Sequence, residues 1–71
     1  MLSLINPGGV YRHPGLLDVD MYVVRVLFRG PRYVRVKVKW FHRSLKTFIP
    51  TVNSIDHVKV RHKDLHKWHA V

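Results

Sequence analysis

The sequence predicts a single all-β domain, and three features of the chain support this prediction. From Tyr33 to Phe41, valine or tryptophan alternates strictly with basic or aromatic residues, which is typical of a strand with one buried and one solvated face. Glycine and proline interrupt the chain at short intervals, as they do between short strands. No run of about ten residues shows the apolar period of a helix.

The turn residues divide the chain into five predicted strands. We expect residues 1–5 either to form a short edge strand or to pack across an open end of the core, and residues 6–9 to form a turn. Adjacent Gly30 and Pro31 separate two alternating runs, which predicts an antiparallel hairpin. The five predicted strands are residues 9–13, 21–29, 32–43, 46–50 and 55–62.

The second predicted strand is apolar on both sides. This pattern indicates a strand that is covered on both faces or that contributes to an interface. Strict alternation would place Tyr22, Val24, Val26 and Phe28 on one face, and Met21, Val23, Arg25 and Leu27 on the other.

The connections are predicted to add apolar side chains to the core. We expect residues 16–20 to form a long first loop in which Leu16 and Leu17 fold back as core. Leu45 is expected to turn inward in the same way from the loop that follows the third strand. Residues 51–54 are predicted to connect the last two strands.

Two tryptophans are predicted to contribute to the core. Trp40 continues the valine face of the third strand. Leu65 and Trp68 are three residues apart, which suits a short helical turn over residues 63–69 that covers the core. An exposed Trp68 that anchors a partner is the alternative.

The charge balance is the strongest indication of function. Thirteen Lys and Arg oppose four acidic residues, all of them Asp, and the formal net charge is +9. Nucleic acid is the commonest partner of such a domain, followed by an acidic protein surface or anionic lipid. Solubility alone is the competing explanation.

The sequence also bears on the compartment. The chain has no cysteine, which excludes disulfides and thiolate metal sites and is compatible with a reducing cytoplasm. Residues 1–5 are too few for a signal sequence or a membrane span. We expect a cytoplasmic protein.

The candidate binding site is the polar face of the third strand, extended by its neighbours. Cations neutralise phosphates, and aromatic rings stack on bases, so sheets that bind nucleic acid combine the two. A solvated face covered by long Lys and Arg side chains is the alternative. The predicted site residues are Tyr33, Arg35, Lys37, Lys39, Phe41, Arg25, Lys59 and Arg61.

Short strands, a long first loop, a tight central hairpin and a terminal turn together resemble the SH3-like small β-barrels. Tudor modules, KOW modules and the small archaeal chromatin proteins share that architecture, and the resemblance covers residues 9–69. The opening residues 9–13 are also similar to those of small uncharacterised bacterial and phage proteins of this class. The resemblance implies a five-stranded barrel and little chemistry. A Tudor-type aromatic cage would need several rings to converge, and the candidates are Tyr11, Tyr33, Phe41 and Trp68.

Two other constellations are weaker. His62, His66 and His69 would share one face of a helix and could then hold zinc or nickel, but we expect surface histidines and no metal or cofactor. His42, His57 and His62 would add positive charge below about pH 6.5.

Catalysis has little support in the sequence. Asp18 and Asp20 lie near His13 and could in principle form an acid–base group, but aspartates in loops more often bond to the local backbone. A chain this short has little room for a substrate pocket. We therefore predict that the protein is not an enzyme.

The sequence thus predicts a small basic module that binds nucleic acid without sequence specificity. The alternative is a protein-interaction or assembly module, of the kind that phages encode. In that case the chain would form homo-oligomers through its sheet edges or through Val23 and Leu27 on the outer side of the second strand.

Overall fold

The computed structural model describes residues 5–50 and 56–71, and this part of the chain is all-β, as predicted. Its strands are antiparallel, and its one helical segment is a 3₁₀ helix of six residues, His62–Lys67. The strands are β1 (Val10–Arg12), β2 (Val19–Arg29), β3 (Tyr33–His42), β4 (Thr47–Phe48), β5 (Asp56–Arg61) and β6 (His69–Ala70).

The strand order places β3 at the centre of the sheet. The order is β4-β3-β2-β1-β6, and β5 also pairs with β3. One edge of β3 is occupied by β2, while the other edge is shared between β5 along its first half and β4 at its end. The sheet is open, because no pairing joins β6 to β4 or β5 among the described residues.

The alternation of β3 determines the core. Val34, Val36 and Val38 are all buried, as predicted. Val36 lies opposite Val26 of β2 and Val58 of β5, so three strands contribute apolar side chains at the same level. The remaining buried apolar residues are Ile5, Tyr11, Met21, Val23, Val60 and Leu65, with Trp40 and Trp68 packed partly buried against them.

Strand β2 departs from strict alternation at two points. The register with β3 shifts between Val23 and Arg25 and again between Val26 and Phe28, so Val24 and Leu27 are the extra residues of two β-bulges. Strict alternation would have placed Arg25 on the same face as the buried Val23. The first bulge turns Arg25 outward instead, opposite Lys37.

The structure corrects two predictions about β2. The predicted division into two faces is wrong beyond Val23, since Val26 packs against the core and Phe28 lies on the opposite face. Val23 was predicted to face outward in an oligomer, but it is 3% exposed and lies in the core. Leu27 is exposed, as that alternative requires.

Three leucines predicted as core are not buried. Leu17 is 84% exposed and Leu45 is 69% exposed, whereas Leu16 is half-buried. The first connection spans only residues 13–18 because β2 already begins at Val19. A loop this short follows the surface and leaves little chain with which to reach the core.

The turn at residues 6–9 forms as predicted. Gly9 N–H donates to Asn6 O at 3.1 Å, and Gly8 has φ of 80°, which favours glycine. A Cβ on Gly9 would lie 2.5 Å from the hydroxyl oxygen of Tyr11. Ile5 is buried in the core; the rest of the predicted strand at residues 1–5, and the predicted connection at residues 51–54, lie outside the described residues.

The C-terminal segment carries the chain from one edge of the sheet to the other. The 3₁₀ helix follows β5, buries Leu65, and leads through Trp68 into β6, which pairs with β1. The predicted helical turn and the core-facing Trp68 are confirmed. Strand β6 was not predicted, because two residues are too few to show an alternating pattern.

Candidate nucleic-acid interface

The predicted site residues all lie on the face of the sheet opposite the valine core. Directly paired residues on antiparallel strands point to the same side of a sheet. The pairs are Tyr33–Arg61, Arg35–Lys59 and Lys37–Arg25, and Lys39 and Phe41 follow at the same parity of β3. We call this set of eight residues (Arg25, Tyr33, Arg35, Lys37, Lys39, Phe41, Lys59 and Arg61) the basic face.

Six of the eight residues of the basic face are cations. Arg35, Lys39 and Lys59 are exposed, and Lys37 is half-buried at the centre of the face. His57, which was not among the predicted site residues, lies opposite Lys37 on β5. Like charges on neighbouring strands repel each other, so an anionic ligand on this face would relieve that repulsion.

Aromatic side chains lie at both ends of β3. At the hairpin end, the rings of Phe28 and Tyr33 lie 5.6 Å apart between centroids; we call them the hairpin aromatic pair. Lys59 Nζ lies 4.4 Å from the centroid of the Tyr33 ring, within the range of a cation–π contact. Phe28 is 49% exposed.

The opposite end of β3 carries three rings that contact one another, the far aromatic cluster of Tyr22, Phe41 and Phe48. Their centroids are 5.1 to 5.6 Å apart, the separation of packed aromatic pairs. Phe48 reaches this cluster because β4 pairs it with Phe41. The basic face is therefore bounded by rings at each end.

Sequence reasoning found one aromatic residue at each end and missed Tyr22, Phe28 and Phe48. Phe28 lies on the same face as Tyr22, and the two bulges between them, which no local pattern predicts, place it opposite Arg35. Phe48 joins it through its pairing with Phe41, and the alternation of a two-residue strand is too short to indicate a face. Tyr22 lies opposite Lys39, a fact that depends on the hairpin register.

A cleft opens beside the hairpin aromatic pair. It has a volume of about 540 Å³ and is lined by Tyr33 and four cations, Arg32, Lys59, Arg61 and Lys63. Two hydrogen bonds from His62 hold the rim of the cleft in place. The backbone N–H of His62 donates to Arg32 O at 2.9 Å, and its side-chain Nε2–H donates to Gly30 O at 2.8 Å. We call it the cationic cleft.

A buried carboxylate supports the other end of the face. Asp20 is 4% exposed and accepts hydrogen bonds from Arg12 Nε and Nη2 at 3.0 and 3.3 Å. These hydrogen bonds raise the pKa of the Arg12 guanidinium. Arg43 Nε lies 3.4 Å from the same carboxylate, a distance of charge attraction without hydrogen-bond geometry.

The possible acid–base group of Asp18, Asp20 and His13 does not form. Asp20 belongs to β2 and is paired with Arg12, while Asp18 lies exposed in the preceding turn with φ of 60°. His13 Nδ1 accepts a hydrogen bond from Gly15 N–H at 2.9 Å. These residues serve the local structure instead.

The three C-terminal histidines do not share a helix face. His62 begins the 3₁₀ helix, His66 lies within it, and His69 belongs to β6 opposite Arg12. Within residues 5–50 and 56–71, no three His or acidic side chains are grouped so that they could hold a metal ion.

The four rings considered for an aromatic cage do not converge. Tyr11 is buried in the core, and Tyr33 and Phe41 lie at opposite ends of β3. Trp68 instead packs edge-on against His13, with centroids 4.8 Å apart. His13, Trp40 and Trp68, with Gly15 and Leu16, line a separate apolar hollow of about 230 Å³.

Comparison of this chain with models of protein families, with curated proteins and with solved structures finds no match. In the part of the chain that the structure describes, no helix is long and apolar enough to cross a membrane.

Proposed function

We propose that this protein is a small cytoplasmic module of SH3-like architecture that binds nucleic acid through its basic face, without sequence specificity. The observation that carries the proposal is the convergence of six cations and two groups of rings, each with one exposed phenylalanine, on one side of a single sheet. An antiparallel sheet centred on β3, with a short helix that joins β5 to β6, supports the barrel-like architecture.

The cations would supply most of the affinity. A protein that neutralises phosphates releases counterions, so its binding weakens as salt rises. Each phosphate contact adds about 0.7 to 0.9 to the negative slope of log affinity against log salt concentration. The central residues Arg35, Lys37 and Lys39 follow one line along β3, which suits the regular spacing of phosphates. Arg25 and Lys59 flank that line on either side.

The rings would add stacking energy without reading the sequence. Each base has two flat faces, so an aromatic side chain accepts any of the four bases. Sequence is read mainly through hydrogen bonds to base edges, commonly from a helix in the major groove. The helical segment of the described chain is a short 3₁₀ helix that packs Leu65 into the core, so we expect little sequence preference.

Charge reversal on the basic face tests the proposal. Lys37→Glu/Lys39→Glu should weaken binding to a fluorescent mixed-sequence DNA by at least about tenfold and flatten the salt dependence. The matched control is Lys46→Glu/Lys67→Glu, which makes the same change in net charge outside the basic face. Equal losses in the two variants would mean that net charge, and not this face, attracts the nucleic acid.

One observation favours assembly as a second candidate function. Val24 and Leu27, the two bulge residues of β2, are 44% and 39% exposed. Self-association through such apolar side chains persists or strengthens as salt rises. If light scattering finds an oligomer at high salt and Leu27→Lys returns it to the monomer, assembly is the better account.

A further inference from the structure

The cationic cleft concentrates more positive charge than the sequence pattern of β3 indicates. Four of its five lining residues are cations, and two of them, Arg32 and Lys63, lie outside the predicted site. Lys63 is supplied by the 3₁₀ helix and Arg32 by the hairpin turn. The five lining residues include no acid. The nearby acid of that helix, Asp64, is paired with Lys67 at 3.5 Å, so it does not neutralise the cations of the cleft.

The size of the cleft suits a group as large as a nucleotide. Sites for small molecules enclose about 300 to 1,000 Å³, and the cleft holds about 540 Å³. Lys and Arg bind phosphate through charge-assisted hydrogen bonds. The chemistry of the lining therefore selects a phosphate-bearing group.

The adjoining rings indicate what that group carries. Tyr33 belongs to the cleft and also contacts Phe28, which is 49% exposed. In a duplex the faces of the bases are covered by their neighbours, so rings at a protein surface can stack only on unpaired bases. Lys59 Nζ lies over the Tyr33 ring, and this exposed side chain is long enough to move onto a phosphate when a base arrives.

We infer that the ligand is single-stranded nucleic acid, held with one phosphate in the cationic cleft and an adjacent unpaired base against the hairpin aromatic pair. This inference rests on the proposed function and narrows it to one ligand class. From Tyr33 to Phe41 the strand extends about 26 Å at 3.3 Å per residue, so the far aromatic cluster would meet a second base of the same strand. A duplex would instead lie on the cations and leave both groups of rings unused.

Three probes of equal length and label test the inference by fluorescence anisotropy. They are an oligothymidine of about twelve nucleotides, within the usual range of single-strand site sizes, a duplex with the same number of base pairs, and an abasic strand with the same number of phosphates. We expect the oligothymidine to bind at least about fivefold tighter than the abasic strand, because stacking favours each bound base. It should also bind tighter than the duplex.

Two sets of variants assign this preference to the cleft. Tyr33→Leu should reduce the preference for oligothymidine over the abasic strand, since only the far aromatic cluster then stacks fully, and Tyr33→Phe should keep it. Lys63→Gln should weaken binding of both single strands more than the charge-matched control Lys46→Gln, which leaves the pair of Asp64 and Lys67 intact.

The outcomes separate this inference from the proposed function. Equal affinity for all three probes, with steep salt dependence, would overturn the single-strand inference and leave nucleic-acid binding in place. Losses no larger than those of the control would overturn the assignment to the cleft. Failure to bind any probe would overturn the proposed function as well. The comparison of probes on the unaltered protein needs no variant, so it decides the matter even if a variant fails to fold.

Discussion

Strands β2 and β3 lie side by side in one hairpin, but they divide their residues between the two faces in different ways. β3 alternates without interruption, so its valines form the core and its cations form the basic face. β2 is bulged at Val24 and Leu27, so the first bulge brings Arg25 to the face that β3 presents and the second returns Phe28 to that face, opposite Arg35. The regular strand therefore defines the interface, while the irregular strand is adjusted to fit it.

The difference follows from the composition of the two strands. In β3 every second residue from Tyr33 to Lys39 is charged or carries a polar group, so a shift by one residue would bury several cations at once. In β2 most residues are apolar, so a single misplaced charge, that of Arg25, is the strongest constraint on register. A bulge at Val24 keeps Arg25 on the solvated face and leaves the Val24 side chain exposed.

The largest expected effect comes from placing a charge on the core face of β3. Val36→Asp places a carboxylate where the side chain is fully buried, which should cost at least about 4 kcal/mol and abolish cooperative unfolding in a domain this small. Arg35→Asp, one residue away on the solvated face, should change the free energy of unfolding by less than about 1 kcal/mol. Thermal denaturation followed by circular dichroism measures both. Similar losses from the two variants would show that β3 does not separate a core from a solvated face.

The next effect comes from deleting one residue from each strand. Deletion of Lys37 from the regular strand β3 would shift the alternation of the residues that follow it to the wrong faces, so we expect a loss of several kcal/mol in the free energy of unfolding. Deletion of Val24 removes the extra residue of a bulge and leaves Arg25 directly after Val23, still opposite Lys37, so it should cost less than about 1 kcal/mol. Chemical denaturation provides the comparison. Equal losses from the two deletions would mean that Val24 is not an extra residue of β2.

A smaller effect is expected where the two strands meet at the far end of the hairpin. Asp20 of β2 lies opposite Phe41 of β3 and is paired with Arg12 and Arg43. Asp20→Asn keeps the shape but removes the charge, and the two guanidinium groups are exposed enough to be rehydrated. We expect the melting temperature to fall by about 5 to 10 °C. No change in melting temperature would show that this ion-paired group does not support the sheet.

Sequence reasoning recovered the elements that a regular pattern defines. The all-β class, the central hairpin, the core valines of β3 and the cations of the basic face all follow from alternation and turn residues. It failed where position depends on contacts distant in sequence. Leu17 and Leu45 were predicted as core because they are apolar, but an isolated apolar residue in a loop is a weak indication of burial.

The candidate site shows the same division. Its cations could be identified from β3 and β5, since both strands alternate. The cationic cleft could not, because Arg32, Tyr33 and Lys63 come together only when the 3₁₀ helix packs against the hairpin turn. The bulges of β2 and the pairing of Phe48 with Phe41 likewise depend on register, which a single sequence does not specify.

The most direct test of the basic face as the binding surface is a nuclear magnetic resonance titration with oligothymidine, followed at the backbone amides. We predict shifts concentrated in β3, β5 and the 3₁₀ helix residue Lys63, largest around Tyr33, Arg35 and Lys37. Strand β6, which lies beyond β2 and β1 from β3 in the strand order, should shift little. Shifts centred on the hollow between Trp40 and Trp68, or spread evenly over every exposed cation, would contradict this prediction.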